Sequence, residues 1–369
     1  MWLLVIGDPG SGKTEIIIQS LRTFPEAQII GSLTPKCFLS SFKRDKNDTK
    51  DHGMLSRGGP SQVWLAQDWT DFAAMKVEDR AQVAATLRKI WDGELTGSTG
   101  VDDANKSWRG KVTMLAVAAP GFERHWAVLS DLGERFVTLR WRAGNRADAM
   151  SKVRKQAGNE DSIRKVAQEH MQKILEGSRH DSQMPTDDLM RRLDGMAEVI
   201  CQLRRHVERE SFGTREVVEV ARCEFPSRVA LALSQVVRTH CDLFHKDKAG
   251  LEELALGERL ATDSIPSAIR QIIERIPRKG GVPYAAISRQ VQVPLTTLKR
   301  CLDDLILLDV IRPYESKGWG DRVAQFTPDF LEVLYASGLQ LQPRNLVLEK
   351  PRLLKNRLNL NSIYAVDGD

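Results

Sequence analysis

Short apolar runs alternate with amphipathic stretches over the first 142 residues of this 369-residue chain. Residues 15–22 and 78–91 have apolar positions at helical spacing, and Gly93 follows the second of these stretches. Alternating strands and helices predict an α/β fold, in which a parallel sheet is covered by helices on both faces. Five runs have the length of buried strands: residues 3–6, 27–30, 62–66, 112–118 and 136–141.

The pattern changes after residue 142. Residues 145–262 are helical in pattern and highly charged, with turn signals around 177–185. Further on, three helical stretches and two short β stretches are typical of a winged helix. These five stretches are residues 267–276, 284–290, 296–307, 310–314 and 322–326.

These changes in the pattern of apolar and charged residues divide the chain into four predicted parts. We expect an α/β core at 1–142, a helical domain with a charged insertion at 143–262, a winged helix at 263–336 and a basic tail at 337–369. Within the core, residues 42–60 are polar and rich in glycine, which predicts a long loop.

Composition narrows the class of protein. Hydrophobic residues make up 41% and charged residues 28%, which is ordinary for a globular protein. No apolar stretch approaches the roughly 20 residues of a membrane span, so we expect a cytoplasmic protein without a membrane partner. The five cysteines form no C-x-x-C pair, which predicts free thiols. The net charge of +5 is compatible with nucleic acid binding.

A phosphate-binding motif follows the first apolar run. Gly10 and Gly12 permit the backbone dihedrals that turn N–H groups inward around phosphates. Lys13 supplies a charge for the β and γ phosphates, and Thr14 offers a hydroxyl to Mg²⁺. The sequence therefore predicts ATP and Mg²⁺ as cofactors. The match to G-x-x-x-x-G-K-[ST] consists of Gly7, Asp8, Pro9, Gly10, Ser11, Gly12, Lys13 and Thr14.

The elements after the motif follow a recognisable order. Asp68 comes directly after the strand QVWLA, where an acid can reach Mg²⁺ or the attacking water. The chain continues with LRKIWDGE (87–94), a polar stretch (95–111), the strand VTMLAVAAP (112–120) and a leucine-containing turn that leads to GERF (133–136).

This order resembles AAA+ ATPases, and more closely the minichromosome-maintenance (MCM) helicases and MCM-like ATPases of phages and mobile elements. The resemblance implies that Lys13 and Thr14 are the Walker A pair. It implies that Arg135 is an arginine finger acting on ATP bound by a neighbouring subunit, in a homo-oligomeric ring or filament. Arg228, in FPSRVALAL, falls where the family carries its sensor-2 arginine.

Two positions depart from the family pattern. The Walker B pair should be Asp-Glu, but this chain has Gln67, Asp68 and Trp69, so one carboxylate is missing whether Asp68 serves the metal or the water. The sensor-1 asparagine is replaced by Ala118 or Ala119. Slow hydrolysis is the expected result.

A third departure concerns the first strand, which begins at residue 1. MCM helicases usually carry an N-terminal domain ahead of it. Two interpretations stay open: a reduced form that takes this domain from a partner, or a misassigned start.

Two basic groups are candidates for DNA contact. The resemblance implies that residues 95–111 form a β-hairpin with Lys106 and Arg109 facing DNA, although Asp102 and Asp103 lie near its tip and a solvated loop is the alternative. In the winged helix, Lys299 and Arg300 lie on the expected recognition helix. Because winged helices also dock proteins, that alternative stays open.

The resemblance implies ATP-driven unwinding or translocation of single- or double-stranded DNA in the replication of a phage or mobile element. Two other functions remain open. One is an ATP-switched loader or regulator that binds DNA without unwinding it. The other is a weakly active accessory subunit of a larger complex.

Overall fold

The structure is a computed structural model that describes residues 1–39, 53–98, 105–125, 132–133, 135–142, 144–178, 181–210, 216–315 and 322–341. Twelve strands occur in this part of the chain: β1 Trp2–Gly7, β2 Ala27–Ile30, β3 Ser61–Ala66, β4 Glu94–Ser98, β5 Asn105–Arg109, β6 Lys111–Ala118, β7 Phe136–Trp141, β8 Val207–Arg209, β9 Val217–Val220, β10 Val282–Pro283, β11 Ile311–Glu315 and β12 Arg322–Phe326.

The same ranges contain twelve α-helices: α1 Met54–Gly58, α2 Thr70–Ala73, α3 Val77–Trp91, α4 Arg146–Gln156, α5 Glu160–Glu176, α6 Asp187–Arg204, α7 Ser227–Phe244, α8 Leu251–Asp263, α9 Ser267–Ile273, α10 Tyr284–Gln290, α11 Leu295–Leu307 and α12 Pro328–Ser337. A π-helical turn, Glu15–Gln19, and a 3₁₀ helix, Pro120–His125, complete the set.

The five core strands form one parallel sheet in the order β2-β3-β6-β1-β7. The α/β fold predicted from the alternating pattern is thereby confirmed. One face of the sheet packs against α3 through a large apolar core that includes Trp2, Trp64 and Leu87. On the other face, Leu65 and Val117 pack against Ile18 of the π-helical turn.

The helical region covers the open edge of β7. The Ser264 hydroxyl accepts a hydrogen bond from the Thr138 N–H at 2.9 Å, and the Asp263 carboxylate accepts one from the Arg140 N–H at 3.0 Å. Arg204 donates to the Phe136 carbonyl at 2.8 Å. These side chains satisfy backbone groups that a further strand would otherwise pair.

Several local expectations were wrong. A helix is present where it was expected at 15–22, but it ends at residue 19 and is π-helical over Glu15–Gln19, and the Ser20 hydroxyl donates back to the Ile16 carbonyl. The loop expected at 42–60 contains α1 in its described part. The helical region also contains the hairpin β8–β9, whose strands are too short and too charged to show a strand pattern.

The segment expected to be a winged helix forms α9, α10 and α11 together with a three-stranded antiparallel sheet in the order β10-β12-β11. The sequence analysis did not predict α12, which follows this sheet and packs against α6. At Gly195 of α6, a β-carbon would stand 2.7 Å from the Ser337 backbone nitrogen. A single apolar core accordingly runs through residues of both the helical region and the C-terminal segment.

All five cysteines are free thiols, as predicted. Among the helices of the described residues, none combines the length and the apolar character that crossing a membrane requires. The basic tail beyond residue 341 lies outside the described residues.

Candidate functional site

The loop between β1 and the π-helical turn contains two glycines whose backbone conformation other residues rarely adopt. Gly10 and Gly12 adopt φ angles of 72° and 78°, in the left-handed region that favours glycine. The Lys13 side chain is only 8% exposed, and its ammonium group donates to the Asp8 carbonyl at 3.0 Å. The lysine thus lies folded over the loop, where it is available to an anion bound there.

The helix after this loop is short. It spans residues 13–19, and its backbone bond from the Ile16 N–H to the Gly12 carbonyl is 3.0 Å long. The helix has about the length that the sequence predicts, and the positive end of its dipole adds to the charge of Lys13. Thr14, the predicted Mg²⁺ ligand, is partly exposed at its start.

The helix α5 packs against this short helix. Arg164 forms a bidentate ion pair with Glu15, with N–O distances of 2.8 and 2.9 Å. Gln168 donates to the Gln19 carbonyl at 2.8 Å. The hydrogen bond from Arg164 lowers the pKa of Glu15, so the pair stays ionised at neutral pH. Nothing in the sequence pattern linked residues 160–176 to the loop.

The last residue of β7 also contacts the loop. Trp141 pairs with Gly7 in the register of β1 and β7, and its indole N–H donates to the Ser11 carbonyl at 3.0 Å. A β-carbon on Gly7 would stand 2.9 Å from the Trp141 β-carbon. The first glycine of the motif therefore permits the close approach of β7.

Asp68 lies at the carboxyl end of β3, exposed to solvent, and accepts a hydrogen bond from the Thr70 N–H at 2.9 Å. Since β6 alone separates β3 from β1, the backbones near Asp68 and Gly7 lie about 10 Å apart. A nucleotide with its Mg²⁺ can span that gap. The structure thus brings Thr14 and Asp68 to the same end of the sheet.

Of the two candidate positions for the missing carboxylate, Gln67 is exposed, whereas Trp69 is 2% exposed and stacks on Phe72 with ring centroids 4.8 Å apart. Ala118, one of the two sensor-1 candidates, is buried beside Ile6 in the register of β6 and β1. The side chains of Trp69 and Ala118 pack in the core, and neither has a carboxylate or an amide that could orient a water.

Arg135 lies at the other end of the sheet, directly before Phe136, which pairs with Trp2 at the start of β1. Its side chain is 4% exposed, donates to the Leu132 carbonyl at 2.7 Å and forms an ion pair of 3.5 Å with Asp92. Burial lowers the pKa of Arg135, and the positive charge of Arg228 lowers it further, while Asp92 opposes both effects.

Arg228 belongs to the same cluster. It begins α7, is 42% exposed and forms an ion pair of 3.6 Å with Glu224. A β-carbon on Gly133, whose φ is 66°, would stand 2.8 Å both from Arg135 and from Glu224. The arginines predicted as finger and sensor 2 therefore lie together in one chain. Their acidic partners, Asp92 and Glu224, were not predicted: Asp92 is distant from Arg135 in the sequence, whereas Glu224 lies only four residues before Arg228.

The stretch 94–109 forms an antiparallel hairpin, β4–β5, whose tip lies outside the described residues together with Asp102 and Asp103. Lys106 lies opposite Gly97 in the strand register. Arg109, the second DNA candidate, forms an exposed ion pair of 3.2 Å with Glu94. At the base, the Trp108 indole donates to the Gly59 carbonyl at 3.1 Å.

Lys299 and Arg300 are both exposed on α11. Asp304, one turn further along, forms an ion pair of 2.7 Å with Arg209 of β8. This pairing neutralises one of the two acids that would repel phosphate near the basic residues, and it links the hairpin β8–β9 to α11.

Comparison with models of known protein families gives no match to this chain. Comparison with curated protein sequences gives no match either.

Proposed function

We propose that this chain is an AAA+ ATPase of MCM-like type that binds MgATP and DNA and works as a head-to-tail ring or filament. In this proposal Lys13 and the amides of the loop hold the phosphates, while Thr14 and Asp68 serve the Mg²⁺. ATP hydrolysis drives unwinding or translocation of DNA.

The observation that carries the proposal is the separation of two charged groups along the sheet. The phosphate loop lies at the carboxyl end of β1, and Arg135 lies at the amino end of the adjacent β7. Six residues of strand separate them, a distance of about 20 Å. Arg135 and Arg228 are therefore too far from the loop of their own chain to touch a bound phosphate.

In a head-to-tail arrangement of copies, the arginine cluster of one copy can lie close to the loop of the next. Heterologous contacts between identical subunits generate rings or open helical filaments, and they bring opposite ends of neighbouring subunits together. The arginine cluster of one copy would then meet the ATP of the next. Arg228 is the more exposed of the two arginines, so it would make the first contact, with Arg135 behind it. Charge that develops on the transferred phosphoryl group is what such arginines stabilise.

DNA binding is supported by two separate features. The hairpin β4–β5 lies between α3 and β6 in the chain and contains Lys106. The C-terminal segment presents Lys299 and Arg300 to solvent on α11, in the arrangement of three helices and a small antiparallel sheet that suits a winged helix.

The proposal is tested by mixing two inactive variants. Lys13→Ala should abolish nucleotide binding, and Arg135→Ala should cut hydrolysis by about 10³–10⁵-fold while ATP binding persists. A mixture of the two should regain part of the ATPase activity, because a Lys13→Ala copy supplies the arginine to an intact loop. Activity that is not regained on mixing, with a specific activity independent of protein concentration, contradicts the shared site.

A second function, an ATP-switched DNA loader or regulator, is favoured by the packing around Asp68. Trp69 and Ala118 are core residues at the positions where the family orients the attacking water, so bound ATP would persist. A strand-displacement assay separates the two functions. Unwinding supports the helicase, whereas ATP-dependent DNA binding without unwinding supports the switch.

A further inference from the structure

The bond between Trp141 and the loop fixes the orientation of one peptide group. The Ser11 carbonyl accepts the indole N–H at 3.0 Å. In a planar trans peptide, the carbonyl of one residue and the N–H of the next point in opposite directions. By holding the Ser11 carbonyl, the indole therefore directs the Gly12 N–H away from itself. Gly12 directly precedes Lys13, and glycine adopts its φ of 78° with little steric penalty.

Trp141 is itself held in place. It ends β7 and is paired in register with Gly7, so its backbone cannot shift without disturbing β1. The lack of a side chain at Gly7 lets β7 approach, since a β-carbon there would also stand 3.0 Å from the Trp141 carbonyl oxygen. The indole is thus a fixed support for a loop whose glycines are otherwise free to adopt many conformations.

We propose that Trp141 is a positioning residue for the nucleotide phosphates, a role that rests on the proposed ATPase function. It sets the Ser11–Gly12 peptide in the orientation that presents the Gly12 N–H to a phosphate. Preorganised donors bind more tightly because the loop loses less conformational freedom when the anion arrives. Removal of the indole N–H leaves the motif intact but lets this peptide rotate.

The test replaces the indole by a ring of similar shape without a donor. Trp141→Phe should weaken the binding of MgATP and MgADP about 3- to 10-fold in calorimetry, the effect of losing one hydrogen bond. The KM for ATP should rise by a similar factor with kcat nearly unchanged, because ground-state and transition-state binding are lost equally. If Trp141 served only in folding, Trp141→Phe would lower the melting temperature without raising the KM for ATP.

Trp108→Phe is the matched control. It also removes an indole N–H that donates to a glycine carbonyl, Gly59, but at the base of the hairpin β4–β5. Its affinity for both nucleotides should stay within twofold of the parent chain. Should Trp141→Phe fail to fold, Trp141→Met takes its place, since it also lacks a donor. Unchanged affinity in the folded variant overturns the inference, whereas a parent chain that binds neither nucleotide overturns the proposed function instead.

Discussion

Arg164 donates a hydrogen bond to each carboxylate oxygen of Glu15, and this ion pair joins the long helix α5 to the short helix that follows the glycine-rich loop. No described residue of α5 is buried, and the only other hydrogen bond described between the two helices runs from Gln168 to the Gln19 carbonyl. The docking of α5 therefore depends on polar contacts that solvent and salt can weaken.

We expect Arg164→Ala to loosen α5 without unfolding the core. Amide hydrogen exchange over residues 160–176 should rise markedly, and 0.5 M salt should raise it in the parent chain as well, because the pair is exposed to screening. Arg191→Ala, which removes an exposed arginine paired with Asp188 on α6, is the control and should leave this region unchanged. Equal protection in Arg164→Ala and the parent would show that other contacts hold α5.

The two DNA candidates should differ in what they control. Changing Lys299 and Arg300 together to alanine should weaken duplex binding and flatten its salt dependence, since the slope is about −0.9 for each phosphate neutralised. Lys106→Ala should instead reduce the stimulation of ATPase activity by DNA and spare the basal rate. A charge-matched control is the double change of Lys165 and Lys173 on α5 to alanine. If Lys106→Ala leaves the stimulation by DNA unchanged, the result contradicts the helicase and favours the loader.

Acid should destabilise the helical region through Glu253, whose side chain is 1% exposed. Burial acts to raise the pKa of Glu253, but hydrogen bonds from Lys246, the Gly250 N–H and His240 overcome it and lower the pKa from 4.5 to about 2. Because the folded pKa lies below the unfolded one, the stabilisation is complete above about pH 4.5 and is lost as the pH falls toward 2.

Glu253→Gln should therefore lower the free energy of unfolding by about 3 kcal/mol at neutral pH and remove most of the dependence between pH 4.5 and 2. Glu252→Gln is the neighbouring control, since Glu252 also binds Lys246 but is 66% exposed. Urea denaturation at several pH values measures both variants. Parallel curves for Glu253→Gln and Glu252→Gln would contradict the role of burial.

Gly195→Ala should separate α6 from α12, because its β-carbon would stand 2.7 Å from the Ser337 nitrogen and 2.8 Å from the Ser337 α-carbon. We expect a loss of about 1–3 kcal/mol in stability, as for other overpacked contacts. Gly121→Ala adds the same methyl group where no atom lies within 4 Å, and its melting temperature should match the parent. A similar melting temperature for both variants would show that the two helices adjust without cost.

The sequence predicted the sheet well, since all five strands are apolar runs of the length that a buried parallel strand requires. Its errors come from local chemistry. The three consecutive isoleucines at 16–18 are β-branched and disfavour a regular helix, and α12 was missed although the Thr327 hydroxyl caps it by accepting a hydrogen bond from the Phe330 N–H.

Half of the candidate site could be predicted in the same way. The G-x-x-x-x-G-K-[ST] loop is a local motif, so the left-handed conformation of Gly10 and Gly12 could be predicted directly. The ion pair of Asp92 with Arg135 and the support from Trp141 could not be found, because Asp92 and Arg135, or Ser11 and Trp141, meet only after the sheet has formed. A single sequence contains no pattern that links positions about 130 residues apart.

The edge strand β7 is covered by the side chains of Arg204, Asp263 and Ser264. This cover affects the tendency of the protein to aggregate. A strand at the border of a sheet is a template for intermolecular β-pairing, and here its free groups are occupied by polar side chains of the same chain. Copies of this protein therefore cannot extend the sheet through β7 while the helical region is folded. Conditions that detach that region would expose the template, and a folded core with an uncovered β7 would be the species that precipitates first.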